Sequence, residues 1–307
     1  MSEDSFYILT VNPFGVFRFS FDGSLISTIS VEGRAEGEYL IPTDIAYSRK
    51  DNVLYIADIA KGIMKFSSDG AYLSTVSSTT NYKNRQFVIS DSGTIIENVL
   101  NVTGREQDAI VELSQEGDTL NYVPNKFMFD CVTPVAIPYH HSLRKYADEV
   151  LYNPACCDTI YSYHSGQLTP KYSFSFPHHV TKEDLRDFDS NISDTQFLME
   201  YAEDGKNLYL SIFDGSWAYK HYVLRKSDGN IFRGDFRLSD SFNTEFSPRW
   251  QSEGWLIDVF DPSTINYAYS KDITEDARQK AYSYLHSVGV EGITMESDPI
   301  IMLTRAK

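Results

Sequence analysis

An alternating apolar strand, a turn closing on glycine and a second strand recur down this chain. The phrase reads Val16-Phe17-Arg18-Phe19-Ser20-Phe21-Asp22-Gly23-Ser24-Leu25-Ile26. It returns as Ile63-Met64-Lys65-Phe66-Ser67-Ser68-Asp69-Gly70-Ala71-Tyr72-Leu73, then as Ile110-Val111-Glu112-Leu113-Ser114-Gln115-Glu116-Gly117-Asp118-Thr119-Leu120. Weaker copies turn at Gly166 and Gly229, so successive glycines stand 47, 47, 49 and 63 residues apart. Short strands repeating every 40–50 residues are the mark of propeller blades, because a blade is one antiparallel sheet that buries its faces only against its neighbours.

A second element fixes the number of blades. Leu54-Tyr55-Ile56 is matched by Phe6-Tyr7-Ile8, Thr94-Ile95-Ile96, Val150-Leu151-Tyr152, Leu208-Tyr209-Leu210 and Trp255-Leu256-Ile257. Five of these six precede a glycine hairpin, and the sixth runs into an insertion. The expectation is an all-β, six-bladed propeller of four-stranded antiparallel blades, with a helical insertion near the C-terminus. As one domain over 1–307, its blades fall near 5–31, 42–78, 84–124, 130–176, 195–238 and 244–307. In the insertion, Thr274 caps a helix over 275–288 that ends before Gly289. A smaller helix capped by Thr181 covers 182–188. The strand after Pro299 takes third place in the sixth blade. Blade one then lacks a first strand and blade six a fourth, which a propeller closes with strands from both chain ends. The expectation is a shortened form of a longer exported protein, which a leader encoded upstream of Met1 would bear out.

Net charge is −16. Phosphate contacts need clustered Lys and Arg, so nucleic acid and anionic membrane surfaces are poor partners for such a chain. Tyr and Phe together outnumber Lys and Arg, which suits strands. No stretch has the length of a membrane span, and Met1-Ser2-Glu3-Asp4-Ser5 lacks the basic and apolar regions of a signal peptide. The cysteines, Cys131, Cys156 and Cys157, are odd in number with two adjacent. They read as buried thiols, although Cys131 with one of the pair stays open for an exported chain.

Gly33-Arg34-Ala35-Glu36-Gly37-Glu38-Tyr39, followed by Pro42-Thr43-Asp44-Ile45, resembles the G-x-G-P-G-E-Y connection of the six-bladed propeller proteins of Bacteroidetes. Those proteins are similar to NHL-repeat propellers. Asp298-Pro299-Ile300-Ile301-Met302-Leu303 is similar to the N-P-V-L strand that ends that family. The resemblance covers nearly the whole chain, with Ala35-Glu36 standing where the family tends to have Gly-Pro. It implies a lipoprotein of the periplasm or cell surface, and implies no activity.

Chemistry is thinly marked. His140-His141 and His178-His179 are adjacent pairs, whose side chains diverge on a strand and chelate one metal poorly. With His164, Cys156 and Cys157 they raise a zinc or copper site, without C-x-x-C or H-x-x-x-H spacing to support it. Glu38, Asp44 and Asp130 stand near inner-strand starts, where a divalent cation of the lactonase type would be held on the channel axis. The plainer reading is that Asp44 caps a turn and Glu38 binds backbone amides. No G-x-S-x-G elbow or phosphate loop is present. Aromatic residues are the stronger signal: Trp217 and Tyr219 in a long hairpin loop, and Trp250 beside Trp255, suit stacking on a sugar or anchoring a protein.

The leading reading is a non-catalytic, monomeric binding propeller without a cofactor. Its partner is a small molecule, a glycan or a protein, held by Trp217, Tyr219, Trp250, Glu38 and Asp44. A metal-dependent hydrolase or lyase at the central channel and a carbohydrate-associated surface protein are the alternatives.

Overall fold

The structure is a computed structural model. It describes residues 1–11, 13–77, 85–100, 104–131, 142–215, 219–233, 237–239, 242–245, 248–252, 254–260, 279, 283 and 299–304. The chain is an all-β six-bladed propeller whose residues fall into two compact units, Met1–Ile192 and Ser193–Lys307.

The first unit holds four blades, each an antiparallel sheet in sequence order. The first blade is β1 (Ser5–Val11), β2 (Phe14–Ser20) and β3 (Leu25–Thr28). The second is β4 (Pro42–Ser48), β5 (Val53–Asp58), β6 (Gly62–Ser67) and β7 (Tyr72–Val76). The third is β8 (Arg85–Ile89), β9 (Ile95–Val99), β10 (Asp108–Leu113) and β11 (Thr119–Pro124). The fourth is β12 (Leu143–Tyr146), β13 (Glu149–Tyr152), β14 (Thr159–His164) and β15 (Gln167–Ser173).

Strand alternation explains why the middle strands are apolar throughout. On β5, Leu54 and Ile56 pack toward blade one with Val16, Ile29, Tyr39, Met64 and Phe66. Tyr55 and Ala57, pointing the other way, pack with Phe87, Ile89, Ile95, Val99, Val111 and Leu113 of blade three. Strand β9 repeats the arrangement, with Ile95 facing blade two and Ile96 joining Ala109, Ile110, Leu143, Val150, Tyr152 and Tyr163 toward blade four. A period-2 pattern buried on both faces leaves no polar side, so these strands read as continuous apolar runs.

The recurring hairpin tip is built the same way each time. Gly23, Gly70 and Gly117 donate to the carbonyls of Ser20, Ser67 and Ser114, and each outer hairpin carries a bulge at its base. All three glycines have φ between 89° and 98°, a region closed to most side chains. Two of them also sit against the preceding blade. A Cβ at Gly70 would lie 3.0 Å from Ile29 Cδ1, and one at Gly117 would lie 2.8 Å from the Ser77 carbonyl oxygen. A Cβ at Gly23 would meet nothing within 4 Å.

After β15 the chain forms α1 (Lys182–Arg186) and α2 (Phe188–Asn191). Thr181 caps α1 as expected, in a reciprocal capping box with Asp184.

The second unit holds blade five, β16 (Phe197–Glu203), β17 (Asn207–Phe213), β18 (Tyr219–Arg225) and β19 (Ile231–Arg233). A two-stranded hairpin follows, β20 (Arg237–Ser239) and β21 (Phe242–Glu245), which the repeat pattern does not announce. Blade six is β22 (Trp250–Ser252), β23 (Trp255–Phe260) and β24 (Ile300–Thr304), with β24 third as expected. Blades one and six therefore show three strands each among the described residues, as expected of a first blade without its first strand and a sixth without its fourth. Most of the helix expected over 275–288 lies outside the described residues. Of its length, Gln279 and Ser283 are helical, and Ser283 Oγ donates to the Gln279 carbonyl at 2.8 Å.

Leu54→Ala removes a side chain with no exposed surface, and is expected to cost about 2–5 kcal/mol in urea unfolding. Gly23→Ala and Gly117→Ala share the positive-φ penalty, but Gly117→Ala adds an overpacking cost of about 1–3 kcal/mol. Equal losses in the two variants would show that clearance between blades is not limiting.

Candidate functional site

The connection between β3 and β4 folds back on itself and forms one wall of a groove. Gly33 N donates to the Tyr39 carbonyl at 2.9 Å, and Tyr39 N to the Val31 carbonyl at 3.2 Å. Tyr39 itself is buried in the core between blades one and two, which anchors the loop. Glu38 Oε2 accepts from Ala35 N at 2.8 Å, and Lys61 Nζ donates to the carbonyls of Ala35 and Glu38.

Behind the loop stands Asp58, fully buried at the end of β5. Its carboxylate accepts from four backbone amides: Leu40 and Ile41 at 2.7 Å, Ala60 at 2.8 Å and Lys61 at 2.9 Å. One side chain thus fixes both the exit of the loop and the turn that presents Lys61. Four charge-assisted bonds satisfy a buried carboxylate that would otherwise be costly.

The groove has a volume of about 340 Å³ and is bounded by Thr28, Ser30, Glu36, Glu38, Phe66 and Tyr72, among others. Gly37 closes its back with φ +79°, and a Cβ there would lie 3.0 Å from Tyr72 Cβ, so glycine is needed on both counts. Tyr72 meets Phe66 edge-on at 5.7 Å, and its hydroxyl is 2.9 Å from Thr75 Oγ1. The arrangement offers an aromatic wall, hydroxyls and two carboxylates in a recess of ligand-binding size.

Asp44 stands on the inner strand β4. Its Oδ1 accepts from Ile45 N at 2.8 Å and its Oδ2 from Phe87 N on β8 at 3.1 Å. Gln86 Oε1 continues the series, accepting from Ser142 N beside β12 at 3.0 Å. In the second unit, Gln251 Oε1 accepts from Glu203 N at 2.5 Å. These side chains lace neighbouring inner strands together. Asp44 keeps some surface open, and each of its carboxyl oxygens is engaged by a backbone amide. Depth governs solvation here, and that desolvation outweighs the two amide donors and pushes the carboxyl up from 3.8 to about 7.

The expected acidic trio does not converge. Glu38 binds its own loop, Asp44 joins two inner strands, and Asp130 is exposed and paired with Arg105 at 3.0 Å. Among the described residues no three His, Cys, Asp or Glu side chains are grouped to hold a metal ion. His164, His178 and His179 are exposed, and His140-His141 lie outside the described residues. Among the described residues no disulfide joins Cys131, Cys156 and Cys157. Burial pushes Cys157 up to about 11 and raises Cys156 further, which keeps both protonated.

Of the aromatic candidates, Trp217 lies outside the described residues. Tyr219 opens β18 with half its surface exposed, and Trp250 and Trp255 are half-buried on β22 and β23. Thr28, Ser30, Phe66 and Tyr72, which bound the groove outside loop 33–39, carry no motif that sets them apart from the same places in other blades. Only the family-like loop 33–39 points to this place.

Other buried polar groups tie strands to one another. Glu112 accepts from Thr94 Oγ1 at 2.8 Å, Asn121 Nδ2 at 2.6 Å and the Tyr163 hydroxyl at 2.8 Å. Ser211 Oγ lies 3.0 Å from His221 Nδ1 between facing residues of β17 and β18.

Because Asp44 holds its proton to about pH 7 when folded and releases it near pH 4 when unfolded, the folded state binds more protons between those values. Its contribution is full below about pH 4 and falls away as pH rises to about 7. Asp44→Asn removes the titration and keeps one acceptor oxygen, so the comparison rests on the change with pH and not on absolute stability. Urea unfolding at pH 5 and pH 8 is expected to show the variant gaining on the parent at the higher pH. Parallel pH profiles would refute the assignment.

In the described residues no helix is long and apolar enough to cross a membrane. No sequence of a curated protein matches the chain. Among solved structures, a "Putative exported protein" of Bacteroides fragilis superposes with a TM-score of 0.73 at 14% identity, over 100% of this chain and 89% of that one. Hydrazine synthase of Kuenenia stuttgartiensis gives 0.48 at 9% identity, covering 92% and 80% of the two chains. A member of the DUF4221 family from Bacteroides vulgatus gives 0.47 at 10% identity, covering 76% and 82%. The first likeness bears on the fold alone, and the other two carry no argument. The family model matches residues 1–305, and the chain belongs to the family described as a domain of unknown function, DUF4934.

Proposed function

We propose that the chain is a non-catalytic, monomeric binding propeller that works outside the cytoplasm and takes its ligand in the groove between blades one and two. The observation that carries this reading is the groove itself. It is a recess of about 340 Å³ with an aromatic wall and polar groups around it, on a loop held by Asp58, Lys61 and Tyr39. Recognition sites favour loops fixed by a rigid scaffold, whereas fold alone decides nothing about ligands. The buried carboxylates also fit a scaffolding role: Asp58 and Asp44 are both engaged with backbone amides. Export is supported by the name of the similar Bacteroides fragilis protein and by the likeness of loop 33–39 to propellers that carry lipoprotein leaders. Cell fractionation and lipid labelling test that part.

The binding part is tested by thermal shift of the full chain against panels of glycans, amines, peptides and divalent metals. A ligand at a hundred times its Kd adds about 2.7 kcal/mol of stability and raises Tm by several degrees. Tyr72→Ala is expected to abolish that shift while leaving the unliganded chain folded. A ligand whose shift survives Tyr72→Ala binds elsewhere and overturns the site. Turnover of any panel compound would overturn the non-catalytic reading.

A further inference from the structure

We infer that the groove between blades one and two recognises an alkylguanidinium, the chemistry of an arginine side chain or a free guanidino amine; this rests on the binding role proposed above. Two observations carry it together. The first is the charge of the recess. Glu36 and Glu38 both line it, and no Lys, Arg or His does. Lys61 is engaged by the carbonyls of Ala35 and Glu38, and Arg34, on the same loop, is exposed and does not line the recess. Neither carboxylate has an ion-pair partner among the described residues. Glu38 is nevertheless held in place, since Oε2 accepts from Ala35 N at 2.8 Å and a Cβ at Gly33 would lie 2.0 Å from that oxygen. Its Oε1 is left for another donor, and exposed Glu36 stands two residues away on the same loop.

The second observation is the wall. Tyr72 is half-buried, braced at its Cβ by Gly37 and at its edge by Phe66. A braced ring beside two carboxylates suits a flat, weakly hydrated cation that stacks on an aromatic face and donates in pairs to oxygen. An ammonium satisfies the charge but not the plane, and a neutral sugar satisfies the plane but leaves both carboxylates without a counter-charge. Thr28 and Ser30 flank the recess where the aliphatic stem would enter.

The test is isothermal titration of the full chain at low and moderate salt with arginine amide, citrulline amide (its isostere with an uncharged side chain), agmatine, a Gly-Arg-Gly peptide and calcium chloride. Arginine amide is expected to bind saturably, at least tenfold tighter than citrulline amide, and to weaken with salt. Glu38→Gln, which keeps an acceptor for Ala35 N, and Glu36→Gln are each expected to weaken it several-fold. Thr28→Lys, at an exposed position, is expected to abolish binding without changing Tm. A peptide that binds more tightly than agmatine identifies a protein source, and the reverse order a free amine. Equal affinity for citrulline amide, no effect of the two Gln variants, or calcium binding without arginine binding would each overturn the guanidinium. A neutral ligand lost in Tyr72→Ala would overturn the cation but keep the groove. No compound affected by Tyr72→Ala would overturn the groove as well.

Discussion

The middle strand of each interior blade is buried on both faces, and the rest of the fold answers to that constraint. Such a strand has no solvent side to hold polar residues, so it is stable only between two neighbours. Leu54 and Ile56 need blade one as much as Tyr55 and Ala57 need blade three. Polar atoms drawn into these layers are then obliged to find partners, because a buried unpaired group costs as much as several contacts gain. Glu112, with its three donors from Thr94, Asn121 and Tyr163, is such a case.

What the layers do not constrain is the connections between them, and there the carboxylates divide their labour. Asp58 spends its whole hydrogen-bonding capacity on backbone amides and leaves nothing for a ligand. Asp44 does similar work between inner strands at the cost of its ordinary acidity. Glu38 lines the recess and commits one oxygen to its own loop. Organisation at the groove therefore comes in large part from Asp58 and Lys61, which do not line it.

Blade number and strand order could be read from the residues because the repeat is a direct image of packing: two apolar faces and a glycine tip per blade. The Thr181 cap was equally open to reading, since its signal is local. The three strands of blades one and six, among the described residues, followed from the same count, whereas the β20–β21 hairpin went unseen, because three- and four-residue strands carry too few positions for a period to emerge. The groove was hidden for a different reason. Thr28, Glu38, Phe66 and Tyr72 come from separate segments that meet only once two blades stack. Glu38 and Asp44 were marked by position near inner-strand starts, but position alone did not distinguish an axial metal ligand from an acceptor of backbone amides. Tyr219 and Trp250 were marked by exposure expected of loops, and Trp250 turned out half-buried on a strand.

The hairpin glycines hold a last consequence. At Gly23 the residue serves only to reverse the chain, while at Gly117 it also leaves room for the Ser77 carbonyl of the blade before. One motif thus carries two burdens, and only the second depends on having a neighbour. A blade copied and inserted elsewhere in such a chain would bring its reversal with it but would have to inherit its clearance from whichever blade came to precede it. A change of residue is accordingly easiest to accommodate at the tip whose Cβ would meet nothing among the described residues, and hardest where the blade before has already taken up the space.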